Sequence, residues 1–543
     1  MPSDRSRRTD TLRDGYSGIV AQQGRVILDR DFNALQGLTA ERIVRDALDF
    51  VGPCGTPDDG FRISLLQASP PGPPLWSPPA SLGTASRDDR DFLIAPGTMY
   101  VGGQRAELFG RQAGHAITYS YFDQPDWLNP PDPLDLVVRR LDIVNRPRLV
   151  RELVYLELAE QEVSAVEDPE LLDVALGGPD TTQRIKLMRR VKREFVTGPD
   201  CVTAWGEATA LWQQRDGLHL DPATMRLLPA ARLQVGFTQD VAASNPCDPV
   251  ATGGYLGADN QLIRVQISDA GTPQGGTASL LWGYDNASFL YRVTGTSGGG
   301  TQLTLAQDPP DAFHIPQTGQ LVEILRTAAV LGQEPDASDP TGRGAILRVV
   351  AETRGELRRL TQPYGPVVSG DPTSYLVLDS PLPDAYVKDA APLFVRVWQA
   401  ELNFQASGDT VELTDPASGT TTGVQVTISL PPGEVLTVGA FWQLALRPAT
   451  PQGVYPERLL AAPQPPDGPN VWACPLAVID WTNQDGVQVT DCRQSFDSLV
   501  ELSRRRPGCC TISVGPADVA AAGGLQAVLD RAAGLGLGAT VCL

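Results

Sequence analysis

A chain of 543 residues with 64 acidic and 44 basic side chains carries a formal net charge of −20. The length exceeds one ordinary core and implies about three or four domains, and the charge excludes nucleic acid as the main partner, because phosphate binding needs a basic patch. No uninterrupted apolar stretch is long enough for a membrane span, and the N-terminus lacks the apolar core of a secretory signal, so direct membrane insertion is not expected.

The first segment, residues 1–60, opens on a short basic run, SDRSRR, which is offset by Asp4, Asp10 and Asp14 and reads as a frayed arm. Tyr16–Gly52 then reads as turn, strand and one amphipathic helix. Gly24 breaks the chain before the apolar run Arg25-Val26-Ile27-Leu28, and the Asp29, Asp31 and Asn33 that follow are turn and helix-cap residues. From Leu35 the residues Leu38, Ile43, Val44, Ala47, Leu48 and Val51 recur at steps of three and four, which gives one apolar helical face, and Gly52-Pro53 ends the helix. Such a face suits docking in a partner's groove or packing within the chain. Periodicity alone does not choose between them.

Residues 61–200 read as a first β domain. The segment SPPGPPLWSPPASLG is an extended surface loop, and DFLIAPGTMYVGGQRAEL is two strands about a Pro96-Gly97 turn with a further tight turn at Gly102-Gly103. A strong strand, Leu153–Leu158, precedes Asp168-Pro169, a turn into a short helix ended by Gly177-Gly178. Residues 201–244 read as a helical and irregular linker with its helix at 202–216. Residues 245–290 and 396–500 read as a second β domain, interrupted at 291–395 by a small barrel-like domain with strands in TQLTLAQ, QLVEIL, GELRRLTQ and SYLVLD. The last segment, 501–543, reads as strand, turn, helix at about Leu525–Ala533, Gly-rich turn and strand. Ending at Leu543 leaves an apolar strand with an open edge, so the native protein is expected to continue. With Gly and Pro abundant and helical patterns few, the fold class is mainly β and multidomain.

Candidate chemistry is sparse. Asp29-x-Asp31-x-Asn33 opens like a calcium loop, but Ala34 stands where Gly should turn and Ala40 where Glu should close the site, so helix capping is the favoured reading. Glu157, Glu162, Glu167 and Asp168 contain the carboxylates a glycosidase needs, but nearness in sequence does not set two of them at a defined separation in a cleft, and a solvated face is favoured. Gly534, Gly536 and Gly538 follow a helix instead of opening one, unlike a phosphate loop. His115, His219 and His314 lie in unrelated contexts. Trp398, Trp442, Trp472 and Trp481 sit in β-rich runs and read as core or interface fillers before a sugar platform. The eight cysteines form no CxxC, Cys509-Cys510 reads as two small buried hydrophobes, and a zinc site is not expected. No GxSxG, HExxH or Walker sequence occurs. Neither a catalytic set nor a cofactor is expected.

The stretch YSGIVAQQGRVILDRDFNALQG resembles the opening of a family of large proteins found with phage-tail-like contractile injection systems. The matching residues are Gln22-Gln23-Gly24-Arg25-Val26, Leu28-Asp29, Asp31 and Asn33, with Phe32 where the family has Trp. Further similarity lies in Tyr100–Gly103, in VEDPELLDVALGGPDTTQR, around Asn260–Leu262, Trp282 and Asp285-Asn286, and in the strands of VGAFWQLALRPAT and CPLAVID, with departures at Ala440 and Phe441. The C-terminal segment resembles the opening of a right-handed parallel β-helix. The resemblance implies a structural, baseplate-associated subunit acting by protein–protein assembly. Its docking segment would include Tyr16, Gln22, Gln23, Gly24, Arg25, Val26, Leu28, Asp29, Asp31, Phe32 and Asn33. Its partners would be other subunits of the particle, baseplate first and sheath or tube proteins after, assembled in the cytoplasm and then released or docked at the envelope. The alternative is a tailspike-like protein that binds or degrades a cell-surface glycan through regions beyond residue 543. An adhesin-like surface protein is a third reading, against which the missing signal peptide argues.

Overall fold

The computed structural model describes residues 15–65, 91–109, 119–131, 151–176, 180–238, 253–271, 276–335, 345–364, 375–388, 391–405, 408–415, 419–481, 487–497, 512–515, 519–520, 523–533 and 541–542. The Pro-rich loop, Gly177-Gly178, His115, Cys509-Cys510 and the glycines at 534, 536 and 538 lie outside the described residues. The fold is mainly β and is built from several sheets with separate buried cores.

The first body is organised on a long antiparallel hairpin. Arg151–Val163 pairs with Arg184–Val196 over its whole length, from Arg151 opposite Val196 to Val163 opposite Arg184. Val471–Asp480 adds on the other side of Arg151–Val163, followed by Arg226–Pro229 and Leu218–Asp221. Alternation sorts the side chains. Val154, Leu156 and Leu158 join a core with Phe92, Ile94, Met99 and Val101. Leu153 and Tyr155 face the helix Cys201–Asp216, which packs Ala204, Ala208 and Trp212 on the sheet at four-residue steps. Asp200 caps that helix by accepting from the Val202 and Thr203 amides, both at 3.0 Å, and Gly217 ends it at φ +65°.

The second body is a sandwich. One sheet runs Ala400–Gln405, Thr277–Tyr284, Gln261–Asp269, Phe441–Leu446 and Val454–Tyr455, and the other runs Arg232–Phe237, Thr420–Ser429 and Thr410–Asp415. Ile263, Val265, Ile267 and Trp442 of the first meet Leu233, Val235, Val426 and Ile428 of the second. Between its halves in sequence lies a six-stranded sheet wholly within 290–398. Its two ends meet where Leu360 bridges Leu378, flanked by Thr361 N–H to the Val377 carbonyl at 3.0 Å and Asp379 N–H to the Arg359 carbonyl at 2.9 Å. The sheets cut across the boundaries expected from sequence: Arg232–Phe237 belongs to the sandwich, and Val471–Asp480 returns to the first body.

At the C-terminal end, Ile512–Ser513 and Val541–Cys542 pair in parallel with the helix Gly524–Ala533 between them in sequence. Among the described residues this is the one parallel strand ladder.

Three local expectations need correction. Arg25–Leu28 forms no strand. The run has no ladder partner among the described residues, and a single strand cannot satisfy its own backbone. The helix starts at Asp29 instead of near Leu35, spanning Asp29–Val51, with acidic Asp29 and Asp31 in the first turn, where the helix dipole favours them. Asp31 also accepts from the Leu28 amide at 3.1 Å. The short helix after Asp168 is a pair of 3₁₀ turns, Pro169–Leu171 and Val174–Leu176.

Candidate functional site

The sequence-predicted docking residues form an arm and the first turn of the N-terminal helix. Gly24, at φ +71°, sits in a turn closed by the Arg25 amide to the Gln22 carbonyl at 3.2 Å. Tyr16, Gln22, Gln23, Gly24, Arg25, Val26, Leu28, Asp29 and Phe32 are exposed, and Asp31 and Asn33 are half-buried. The arm turns back along the helix. Tyr16, Gly18 and Ile19 border a space of about 360 Å³ with Arg30, Asp31, Ala34 and Leu38. Ala34 and Leu38 are the helix's two buried residues. Since Asp29, Asp31 and Asn33 are all helical, they do not form the loop that a calcium ion requires.

The helix rests on the body through the hairpin turn at Gly102-Gly103. Both glycines have positive φ, and a Cβ would collide with the Thr224 carbonyl at Gly102 and with the Val44 carbonyl at Gly103. Beyond this rest point the apolar residues are largely unpartnered. Val20 is 88% exposed and Phe50 82%, and Val26, Ile27, Phe32, Leu35 and Ile43 are exposed as well. No residue of Asp29–Val51 joins any of the hydrophobic cores among the described residues.

A cleft of about 2360 Å³ lies between this helix, the long hairpin and the outer face of the sandwich. Phe32, Gln36, Ala40, Val44 and Leu48 form the helix side, and Glu157, Arg190 and Lys192 the hairpin side. Nine arginines and lysines line it against nine aspartates and glutamates, so the cleft is neutral in a chain of strongly negative charge. Several of these charges are already matched: Lys192 meets Glu157 at 2.7 Å, Arg190 meets Glu352 at 3.0 Å and Arg215 meets Asp216 at 2.6 Å.

Arg264 stands apart because it is buried. It is 3% exposed and has no ion pair among the described residues. One Nη donates to the Gln266 side-chain carbonyl, while Nε and Nη1 have no hydrogen-bond partner. Its guanidinium lies 4.3 Å from the Phe441 ring centre and 5.5 Å from that of Trp398. The nearby carboxylate, Glu323, is spent on other donors: Arg396 at 3.1 Å, Trp398 Nε1 at 3.0 Å and the Gly355 amide at 3.0 Å. Burial, reinforced by the Arg396 charge, pushes the Arg264 pKa well below the ordinary arginine value. Arg264 escaped the sequence reading because an Arg inside a β pattern looks like an outward-facing residue. The only signal was its position between apolar neighbours.

The other candidates resolve into structure. Glu167 is fully buried and accepts from the Ser164 amide at 2.8 Å, the Ser164 hydroxyl at 3.0 Å and the Ala351 amide at 2.9 Å. Asp168 is paired with Arg348 at 2.7 Å. Glu157 and Glu162 border the cleft, apart from Glu167 and Asp168, so the four acids do not converge on one site. His219 contacts Glu434 and His314 contacts Asp311, each at 2.8 Å. Trp398, Trp442, Trp472 and Trp481 are all buried, with indole N–H groups of three of them bonded to Glu323, the Gln464 carbonyl and Glu152. The cysteines held a feature that spacing did not reveal: Cys201 and Cys492 form a disulfide across 291 residues.

Residues 1–107 match a family of unknown function, DUF6519. The match takes in the arm, the N-terminal helix and the Gly102-Gly103 hairpin on which the helix rests. No curated protein and no solved structure matches the chain.

Proposed function

We propose that this chain is a structural subunit of a phage-tail-like contractile injection particle, associated with the baseplate and acting by assembly. The observation that carries the docking surface is the row of exposed apolar side chains from Tyr16 to Phe50, on an arm and helix outside the cores formed by the described residues. Apolar area removed from water contributes roughly 25 cal/mol per Å², so a neighbouring subunit that covers this row gains stability the free chain lacks. The particle itself is implied by the resemblance carried by Gln22–Asn33.

In this reading the first body, the sandwich and the barrel-like unit at 291–395 are spacers that project from the docking point. The parallel pair at Ile512–Ser513 and Val541–Cys542 is the start of a right-handed parallel β-helix. A disulfide suits a working place outside a reducing cytoplasm, in keeping with a particle that assembles inside the cell and is released or docked at the envelope. No catalytic step and no cofactor are assigned.

Ile43→Asp and Phe50→Asp test the surface. Both positions are exposed, so the variants are expected to melt within about 0.5 kcal/mol of the parent and yet to be missing from purified particles. Full incorporation of both variants contradicts the reading. The parallel ladder favours one alternative, a tailspike-like protein that binds or cleaves polysaccharide. Depolymerisation of a surface glycan by the isolated chain would move that alternative to first place.

A further inference from the structure

We propose that the central cleft binds a carboxylate at Arg264, carried by an extended acidic segment of a partner subunit. The source of the segment rests on the assembly reading above; the carboxylate site does not. A buried guanidinium without a counter-charge is strongly destabilising, and an unsatisfied buried donor calls for a partner. Arg264 has both features, and it stands on the cleft wall.

The surroundings suit an oxyanion. On the outer face of the sandwich Arg264 is directly opposite Gln443 in the strand register, and Gln266 is opposite Phe441. Gln266 therefore contacts the guanidinium, and Gln443 shares its face of the sheet. Arg354 borders the same wall, lies against Gly439, is exposed, and makes no hydrogen bond or ion pair among the described residues. A buried arginine backed by an exposed one is an arrangement that draws an anion in and then holds it.

The size of the cleft decides the kind of ligand. Small-molecule sites enclose about 300–1,000 Å³, and 2360 Å³ is well above that range. The tryptophans on its wall, Trp212 and Trp472, are buried in cores and present no open ring face for a sugar. An extended polypeptide with an aspartate or glutamate fits better than a polysaccharide carrying uronates.

The test is fluorescence anisotropy on the full chain. The probes are a labelled peptide alternating glutamate and serine, its glutamine analogue, and a labelled polygalacturonate oligomer. The parent chain is expected to bind the glutamate peptide roughly tenfold to a hundredfold more tightly than the glutamine analogue. Arg264→Met and the exposed Arg354→Ala are expected to erase that preference. Arg264→Met is also expected to keep or raise the melting temperature, because it removes a buried charge that no ion pair offsets among the described residues. A structural arginine would do the reverse, with a lowered melting temperature and no binding preference to lose. Equal affinity for both peptides, a preference for the uronate oligomer, or a preference that survives Arg354→Ala in a folded chain each overturns the proposal. Loss of glutamate binding with Ile43 and Phe50 still needed for incorporation would sink this site alone. Intact glutamate binding by a chain found in no particle would sink the assembly reading alone.

Discussion

At the scale of single residues, the buried charges are the most demanding features. Arg193 donates to Glu152 at 3.0 and 2.5 Å, both side chains are buried, and Trp481 Nε1 donates to the same carboxylate at 2.8 Å. Arg193→Met strands Glu152 in the core, and a loss of about 3–5 kcal/mol is expected in urea unfolding. A loss below about 1 kcal/mol would mean the pair behaves as an exposed one. Glu194 is a second case. Burial pushes its pKa up from 4.5 to about 7, with help from the charge of Asp216 and against the hydrogen bond from Trp212. Arg215 contacts it at 3.2 Å but also engages Asp216 at 2.6 Å, so it offsets little. The native state therefore holds a proton that the unfolded chain has released. This contribution to stability is complete below the unfolded value of 4.5 and is lost as pH rises through about 7. Glu194→Gln is expected to flatten the unfolding midpoint over that window, and an unchanged slope contradicts the assignment. The tryptophans were legible as core fillers because large rings in strands bury area, whereas Arg193, Glu152 and Arg264 were not. A charged residue in an alternating pattern reads as facing solvent until its partner, hundreds of residues away or on another strand, is known.

Among the elements, the N-terminal helix shows both what periodicity reveals and what it hides. Its existence and its stop at Gly52 followed from apolar spacing and from Gly52-Pro53. Its onset did not, because Asp29, Asp31 and Asn33 are as suited to a first helical turn as to a loop. Leu38 and Val44 face the arm and the cleft, while Leu35 and Ile43 look outward, so the apolar face is wider than the surface it covers. The disulfide between the first residue of the helix Cys201–Asp216 and the end of the strand Gln488–Asp491 had no sequence signal, since its cysteines are 291 residues apart. Cys201→Ser with Cys492→Ser is expected to lose about 2–5 kcal/mol of stability. Reducing agent should lower the parent to the same level and leave the double variant unmoved. A parent insensitive to reduction would contradict a formed bond. Gly103→Ala is expected to destabilise by about 1–3 kcal/mol, because its positive φ and the Val44 carbonyl leave no room for a methyl group.

For the whole molecule, the mainly β, multidomain character was legible from composition and turn spacing, and the interruption of one sheet by residues 290–398 from the return of β patterning beyond it. Sheet membership was not legible, because a ladder partner is chosen by packing and not by neighbourhood in sequence. Val471 opposite Ala159 joins two strands some three hundred residues apart by their register. The result is a set of β bodies with an apolar arm and helix set outside their cores among the described residues, which is the basis for reading the chain as an assembly subunit. The measurement that tests this most directly is recovery of the chain from its native cells followed by negative-stain microscopy and identification of the co-purifying proteins. Sheath, tube and baseplate proteins, with tail-like particles on the grid that disappear for the Ile43→Asp and Phe50→Asp variants, are the predicted result. A lone soluble protein that binds or depolymerises a glycan contradicts it.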